Sequence, residues 1–270
     1  MFMKKNVPAV PDRVGGGSPL KPRSPGGFTL IELMIVIVVV AVLAGLLIPS
    51  LDQVSHRSRV TEDMVNLRSL QTAHYQYAVE SGGQFADAGL SHGGLANEKI
   101  AWLNTLGRYV KIDGIIRSPL DQSQHWDVPI EGTTDRFRRT SYGWNNYLSR
   151  TKSPDAAIDP KSAADRLSRI KHPSSTVHFL HMVGTGSFAG SDHVHVENWW
   201  IGDSHPNAAP ILAANHVQTN IVSGEAKSKH ARANYGFVDG SVQTLHFSDV
   251  FLRPDHNRFD PKIAGQRSFQ

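Results

Sequence analysis

Hydrophobic and polar positions change pattern twice along the chain. From Phe28 to Ile48 the sequence reads FTLIELMIVIVVVAVLAGLLI, 21 residues whose polar exceptions are Thr29 and Glu32. At ~1.5 Å rise per residue this run reaches roughly 30 Å, the thickness of a bilayer's hydrocarbon core. Backbone groups in that medium must pair within the segment, so a transmembrane helix is predicted. From Ser50 to Glu80 the apolar signal narrows to one face. Val60, Met64, Leu67, Gln71, His74 and Ala78 recur at steps of four and three, predicting an amphipathic helix that docks on a globular head. Arg57, Arg59, Glu62, Asp63 and Arg68 are expected mostly off that face. Pro49 predicts a kink or local break, and Ser81-Gly82-Gly83 predicts the stop.

Beyond Phe85 the chain is punctuated by Gly and Pro. Glu98 to Val110 predicts a short helix. Ser141 to Leu148, Thr176 to Val183 and Val194 to Ile201 predict strands, being rich in aromatic and β-branched residues. Ala233 to Val238 and Ser241 to Phe247 alternate on either side of Asp239-Gly240, predicting a hairpin with a type I′ turn. The fold class is therefore α+β, with a long N-terminal helix packed on an antiparallel β-sheet head.

Composition sharpens this picture. With 40% hydrophobic and 19% charged residues in 270, the chain can bury a core. The absence of Cys excludes disulfide scaffolds, thiolate metal sites, thiol nucleophiles and acylated anchors. Lys4, Lys5, Arg13, Lys21 and Arg23 against Asp12 give residues 1–27 the whole chain's net charge of +4. The rest is neutral, a poor match to nucleic acid, so no nucleic-acid partner is expected. A basic segment before an apolar helix places the N-terminus in the cytoplasm and everything after Pro49 outside.

Glu32 is costly inside a bilayer, on the order of 3 kcal/mol if ionised at its centre. Cleavage after Gly27 would leave a free amine on Phe28, near enough to neutralise that carboxylate. A secretory signal peptide, with Val42-Leu43-Ala44 before the cut and Gly45 as first residue, is the competing reading, and it leaves Glu32 without a purpose. Gly27-Phe28-Thr29-Leu30-Ile31-Glu32-Leu33 resembles the class III signal of type IV pilins and type II secretion pseudopilins. The resemblance implies a pilin-like fold, cleavage after Gly27 by a membrane prepilin peptidase, N-methylation of Phe28, and Glu32 as the assembly carboxylate. Pro49 stands where many pilins carry a proline. The resemblance also implies other pilin subunits, an inner-membrane assembly platform and the lipid bilayer as partners. The expected organisation is a cleaved cytoplasmic leader (1–27), a transmembrane helix (28–48), its periplasmic extension (49–82) and a pilin-like head (83–270). Such a chain sits in the inner membrane and then in an envelope or extracellular fibre, as a structural subunit and not an enzyme.

The head resembles large pilin-like proteins with a prepilin-type processing-associated H-x9-D-G domain. His230 and Asp239-Gly240 carry the likeness, although eight residues and not nine separate the histidine from the aspartate. Ser118-Pro119-Leu120-Asp121 stands where such proteins show Cys-Pro-x-Asp, and Ser141 to Tyr147 and Lys171 to Val177 are similar too.

Fourteen histidines invite a metal reading. His178, His181, His193, His195, His205 and His216 cluster in sequence. His193 and His195 on a strand would share a face, with Asp192, Glu197 or Asp203 as further ligands of a metal-dependent hydrolase. No HExxH, GxSxG or GxxxxGK[ST] motif is present, and Gly184-Thr185-Gly186 reads as a turn. Asp249, Asp255 and Asp260 are calcium candidates only by position. Otherwise no cofactor is expected. Trp199, Trp200, Trp144, Tyr142 and Tyr147 fit a core, subunit contacts, or an aromatic platform for a glycan, the last in a membrane-tethered binding protein.

Overall fold

The structure, a computed structural model, describes residues 26–90 and 97–266, and the basic leader up to residue 25 lies outside them. The chain falls into two units, Met1–Leu51 and Asp52–Gln270. Helix α1 is Leu30–Glu80, and its helical assignment passes through Pro49, so the expected break is absent. Proline removes one donor from the ladder there, and the Ser50 hydroxyl contributes another to the same turn, donating to the Leu47 carbonyl at 2.7 Å. In the first unit, Leu33 to Ile48 is exposed on every face, and the segment is long and apolar enough to cross a membrane.

In the second unit α1 buries the predicted face: Leu67, Gln71, His74 and Ala78 are buried, while Val60 and Met64 are half-buried. The face is wider than expected and takes in Asn66, Leu70 and Ala73. It also takes in Asp63, expected off it yet 0% exposed. The helix stops as predicted: Gly82 and Gly83 are left-handed, and the Gly83 N–H returns to the Ala78 carbonyl.

The head is built on four strands, β1 (Tyr142–Trp144), β2 (Val177–His181), β3 (Arg232–Phe237) and β4 (Val242–His246), antiparallel in that order. A small pair, β5 (Phe251–Arg253) and β6 (His256–Asn257), follows. On one sheet face Tyr142, Trp144, Phe179 and Val242 meet Leu67, Leu70 and Ala73 of α1. On the other, Val177, Leu180, Ala233, Tyr235 and Phe237 meet Val194, Trp199, Phe247 and Phe259. The alternation of β2 is broken between Val177 and Phe179, where its register with β3 shifts. The irregularity resets the phase, so both His178 and His181 reach α1 although three residues apart, a spacing that a regular strand would divide between its faces.

Three sequence expectations change. Val194 to Ile201 forms no strand; Val196–Trp199 is a 3₁₀ turn. The Asn146 side chain takes the Val196 N–H and donates to Glu197 (2.6 Å), and Trp199 turns inward to the second core. The β3–β4 hairpin forms as expected, but its turn is not type I′. Phe237 N–H bonds Ser241 and Gly240 N–H bonds Phe237. Gly240 alone in that loop is left-handed (φ 88°). A type I′ turn would need positive φ at Asp239 as well, so this is a three-residue loop closed by a glycine. Glu98 to Val110 resolves into a 3₁₀ turn (Glu98–Ile100) and helix α2 (Trp102–Leu106).

Candidate functional site

The site begins at the start of α1. Thr29 is the residue before the first helical position, and Glu32 is three residues on, the spacing of a capping box. The Glu32 carboxylate accepts from the Thr29 N–H (2.8 Å) and hydroxyl (2.7 Å), both on Oε2. In return the Glu32 N–H donates to Thr29 Oγ1 at 3.3 Å. Helix start and carboxylate thus support each other, with the negative charge at the positive end of the helix dipole. This role was visible in the sequence as Thr-x-x-Glu and was hidden by the larger puzzle of a charge in an apolar run. Gly27 and Phe28 precede the helix outside regular structure, and Phe28 is 84% exposed.

The second part of the site fixes α1 to the head. Asp63 accepts four hydrogen bonds: from Ser118 Oγ (2.5 Å) and Tyr142 OH (2.8 Å) on Oδ1, and from His181 Nε2 (3.0 Å) and Asn234 Nδ2 (2.8 Å) on Oδ2. Burial alone would push this carboxyl up, but His181, Ser118 and Asn234 outweigh it and hold it below its ordinary value. Burial and the adjacent Asp63 charge push Tyr142 well up, so it stays a protonated donor.

Two turns along, the Gln71 carbonyl meets His178 Nδ1 at 2.5 Å. His74 stands against Phe85, Trp144 and His178 with ring centroids 4.4–5.1 Å apart. Burial lowers His74 to about 3 and pushes His178 well down, so both rings are neutral. Ser118 and Asp121 act through the same junction. Ser118 N–H donates to Ser141, whose hydroxyl donates to Asp121 at 2.6 Å, and Asp121 pairs with Arg138 at 2.7 Å in a buried ion pair.

A family model, the prokaryotic N-terminal methylation motif, matches residues 22–48. That stretch includes Gly27, Phe28, Glu32 and the apolar run. Over this N-terminal stretch the chain is similar to type IV pilins. Over 54 residues it is 43% identical to the type IV major pilin protein PilA of Myxococcus xanthus (strain DK1622), an alignment covering 20% of this chain and 24% of that pilin. The chain therefore spans about a quarter of the length of the curated relative it matches. No solved structure matches it.

The remaining sequence candidates scatter over the head. His230 precedes β3 and Asp239-Gly240 follows it, at opposite ends of that six-residue strand. They form no common site. His230 gives its carbonyl to His246 Nδ1 (2.8 Å), and Asp239 accepts from the Ser241 N–H and hydroxyl within the turn.

His193 and His195 do approach, with ring centroids at 5.1 Å, but not on a strand: His193 makes a single bridge to Trp144 of β1 and His195 follows in irregular chain. Each faces its own carboxylate at 3.0 Å, Asp192 and Glu197 respectively. Asp192 also accepts the N–H groups of Gly89 and Leu90. His178 and His181 face α1, and His205 bonds Ser204 on an exposed turn. Among the described residues, no group of three or more His, Asp or Glu side chains gathers so as to hold a metal ion. Asp249 caps a helical turn, Asp255 pairs with Arg253, and Asp260 accepts the Lys262 N–H, three separate local tasks. Tyr142, Trp144 and Trp199 are 0% exposed and belong to the core, and Tyr147 and Trp200 are half-buried against it, so the five do not form one exposed platform.

Proposed function

We propose that this chain is a prepilin-type structural subunit. It is cleaved after Gly27 by a prepilin peptidase, methylated on the new Phe28 amine, and held in the inner membrane by the apolar half of α1. The leader is cytoplasmic and the head periplasmic. An inner-membrane platform then assembles it with other pilin or pseudopilin subunits into a type II secretion or type IV pilus-like fibre, and it works as a building block without catalysis. The observation that carries this reading is Gly27-Phe28-Thr29-x-x-Glu32 directly before a helix that is apolar on every face. In this reading Glu32 neutralises a Phe28 amine as subunits leave the bilayer.

Intact-mass and N-terminal sequencing of the chain from envelopes tests processing: Phe28 carrying one added methyl supports the reading, and a retained leader or Gly45 as first residue overturns it. Glu32→Gln separates charge from capping, because glutamine still closes a capping box but cannot neutralise an amine. The variant is expected to insert and be cleaved yet stay out of fibres; wild-type assembly would reduce Glu32 to a helix cap.

A further inference from the structure

The body of the chain after the leader is neutral, yet its cations are not evenly spread. Helix α1 brings His56 and Arg57 beside Val222, Ser223, Arg232 and Thr244 around an open hollow of about 490 Å³. His56 Nε2 meets the Val222 carbonyl at 2.9 Å, and Arg232 bridges to Ser223 on one side and pairs with His246 on the other. His246 in turn bonds the His230 carbonyl. His230, with Lys227 and Lys229, rims a second hollow of about 350 Å³ floored by Pro210, Phe247 and Phe251.

One edge of the head thus carries His56, Arg57, Lys227, Lys229, His230 and Arg232, all exposed. No carboxylate lines either hollow. Among the described residues, Arg57, Lys227, Lys229 and Arg232 enter no ion pair. Lys227 is also the one described residue other than glycine with a left-handed backbone (φ 65°), which holds its side chain out on a tight loop. Arg138, Arg139, Arg150, Arg169, Arg253 and Lys262 elsewhere in the head pair with Asp or Glu, whereas these four cations gathered on one edge leave their charge to a partner.

We propose that this basic edge is a docking surface for anionic phospholipid headgroups. The argument for that partner is charge complementarity together with covalent reach. Arg57 is the ninth residue after Ile48, the end of the apolar run. At ~3.4 Å per residue for even a fully extended chain, Arg57 stays within about 30 Å of that end. A polybasic cluster tethered so close to a bilayer feels its surface potential, and each basic side chain near an anionic surface strengthens association about fivefold. The surface would hold a head against the membrane while the subunit waits for assembly. The proposal rests on the membrane-spanning reading of α1.

Lysine footprinting of the full chain in vesicles tests it. The protein is reconstituted into phosphatidylcholine vesicles and, separately, into vesicles with one-third phosphatidylglycerol. It is then acetylated with a limiting reagent and read by peptide mass spectrometry. Lys111 and Lys161, exposed elsewhere on the head, are internal references. Lys227 and Lys229 are expected to react about fivefold more slowly in the anionic vesicles. About 0.5 M salt should abolish the difference by shortening the Debye length to a few ångströms. Arg57→Gln with Arg232→Gln should weaken the protection without touching either reporter lysine.

Equal reactivity in both vesicles, with the chain floating with lipid and resisting carbonate extraction, overturns the docking surface and leaves the membrane anchor standing. A chain that does not float overturns both. Protection by a duplex oligonucleotide in neutral vesicles, without protection by anionic lipid, would assign the edge to nucleic acid instead.

Discussion

The buried imidazole of His74 makes the head's stability depend on pH in a way that one substitution should remove. His74 is lowered from 6.5 to about 3 by burial, so between those values the unfolded chain binds a proton that the native state refuses. Its contribution is unchanged above pH 6.5, falls as pH drops below 6.5, and stops falling near 3. From 6.5 to pH 5 the loss is about 1.5 pH units at ~1.36 kcal/mol each, or about 2 kcal/mol. His178 and His216 shift in the same direction and add to the drop. Asp63, held below 3.8, adds nothing in this window because it is ionised in both states. His74 Nε2 has no hydrogen-bond partner among the described residues, so leucine of similar size leaves no stranded partner behind. His74→Leu is expected to be neutral or slightly stabilising at pH 7 and about 2 kcal/mol more stable than wild type at pH 5. Urea unfolding of the full chain in detergent, followed by fluorescence of the buried Trp102, Trp144 and Trp199, reads this directly. With m of about 1–3 kcal/mol/M the gap in midpoint is ~0.7–2 M. If wild type and variant lose stability in parallel from pH 7 to 5, His74 is not neutral and buried in the way described.

Three further outcomes follow from the packing. Asp63→Leu strands four buried donors and should cost about 3–5 kcal/mol in the same urea assay, whereas Ser118→Ala removes one of them and should cost about 1 kcal/mol. Gly89→Ala drives a methyl to 2.3 Å from the Asn97 carbonyl and 2.8 Å from the Ala101 nitrogen, backbone atoms that cannot swing aside. A loss of about 3 kcal/mol is expected. Gly240→Ala meets no atom within 4 Å and bears only its left-handed φ, for about 1–2 kcal/mol, so ranking the two by thermal midpoint checks both.

The long helix, its docking face and the β3–β4 hairpin were legible because each rests on a local period or a turn dipeptide that tertiary contacts reinforce. The phase of β2 was not, because a register irregularity is set by the neighbouring strand and not by the residues themselves. Val194 to Ile201 reads as a strand by composition, but strand identity needs a partner edge, and the Asn146 side chain holds Val196 N–H instead. Asp63 was misplaced for a related reason. A charged residue is assigned to the solvent face unless its partners are known, and Ser118, Tyr142, His181 and Asn234 lie 55 to 171 residues away. Of the candidate site, the N-terminal methylation motif is contiguous, and the sequence alone brings its residues together. The histidines could not be sorted, because sequence proximity of His178, His193 and His216 says nothing about which core each enters.

Two carboxylates on one helix show how the same chemistry serves opposite ends. A carboxylate offers about four acceptor positions. Asp63 has filled four, two on each oxygen, with donors from a loop, β1, β2 and β3. Sliding α1 by one turn, ~5.4 Å, would set an apolar or like-sized neighbour against those donors and strand the carboxylate. A stripe of Leu67, Leu70, Ala73 and Ala78 alone would tolerate such a slip; the saturated carboxylate does not, and so fixes the helix's register on the sheet. Glu32 is the converse. Both of its hydrogen bonds come from Thr29 and fall on Oε2, and Oε1 has no partner among the described residues. A carboxylate that only capped its helix would need nothing more. If Glu32 also receives the Phe28 amine, as proposed above, the second oxygen, Oε1, is the one left to accept it.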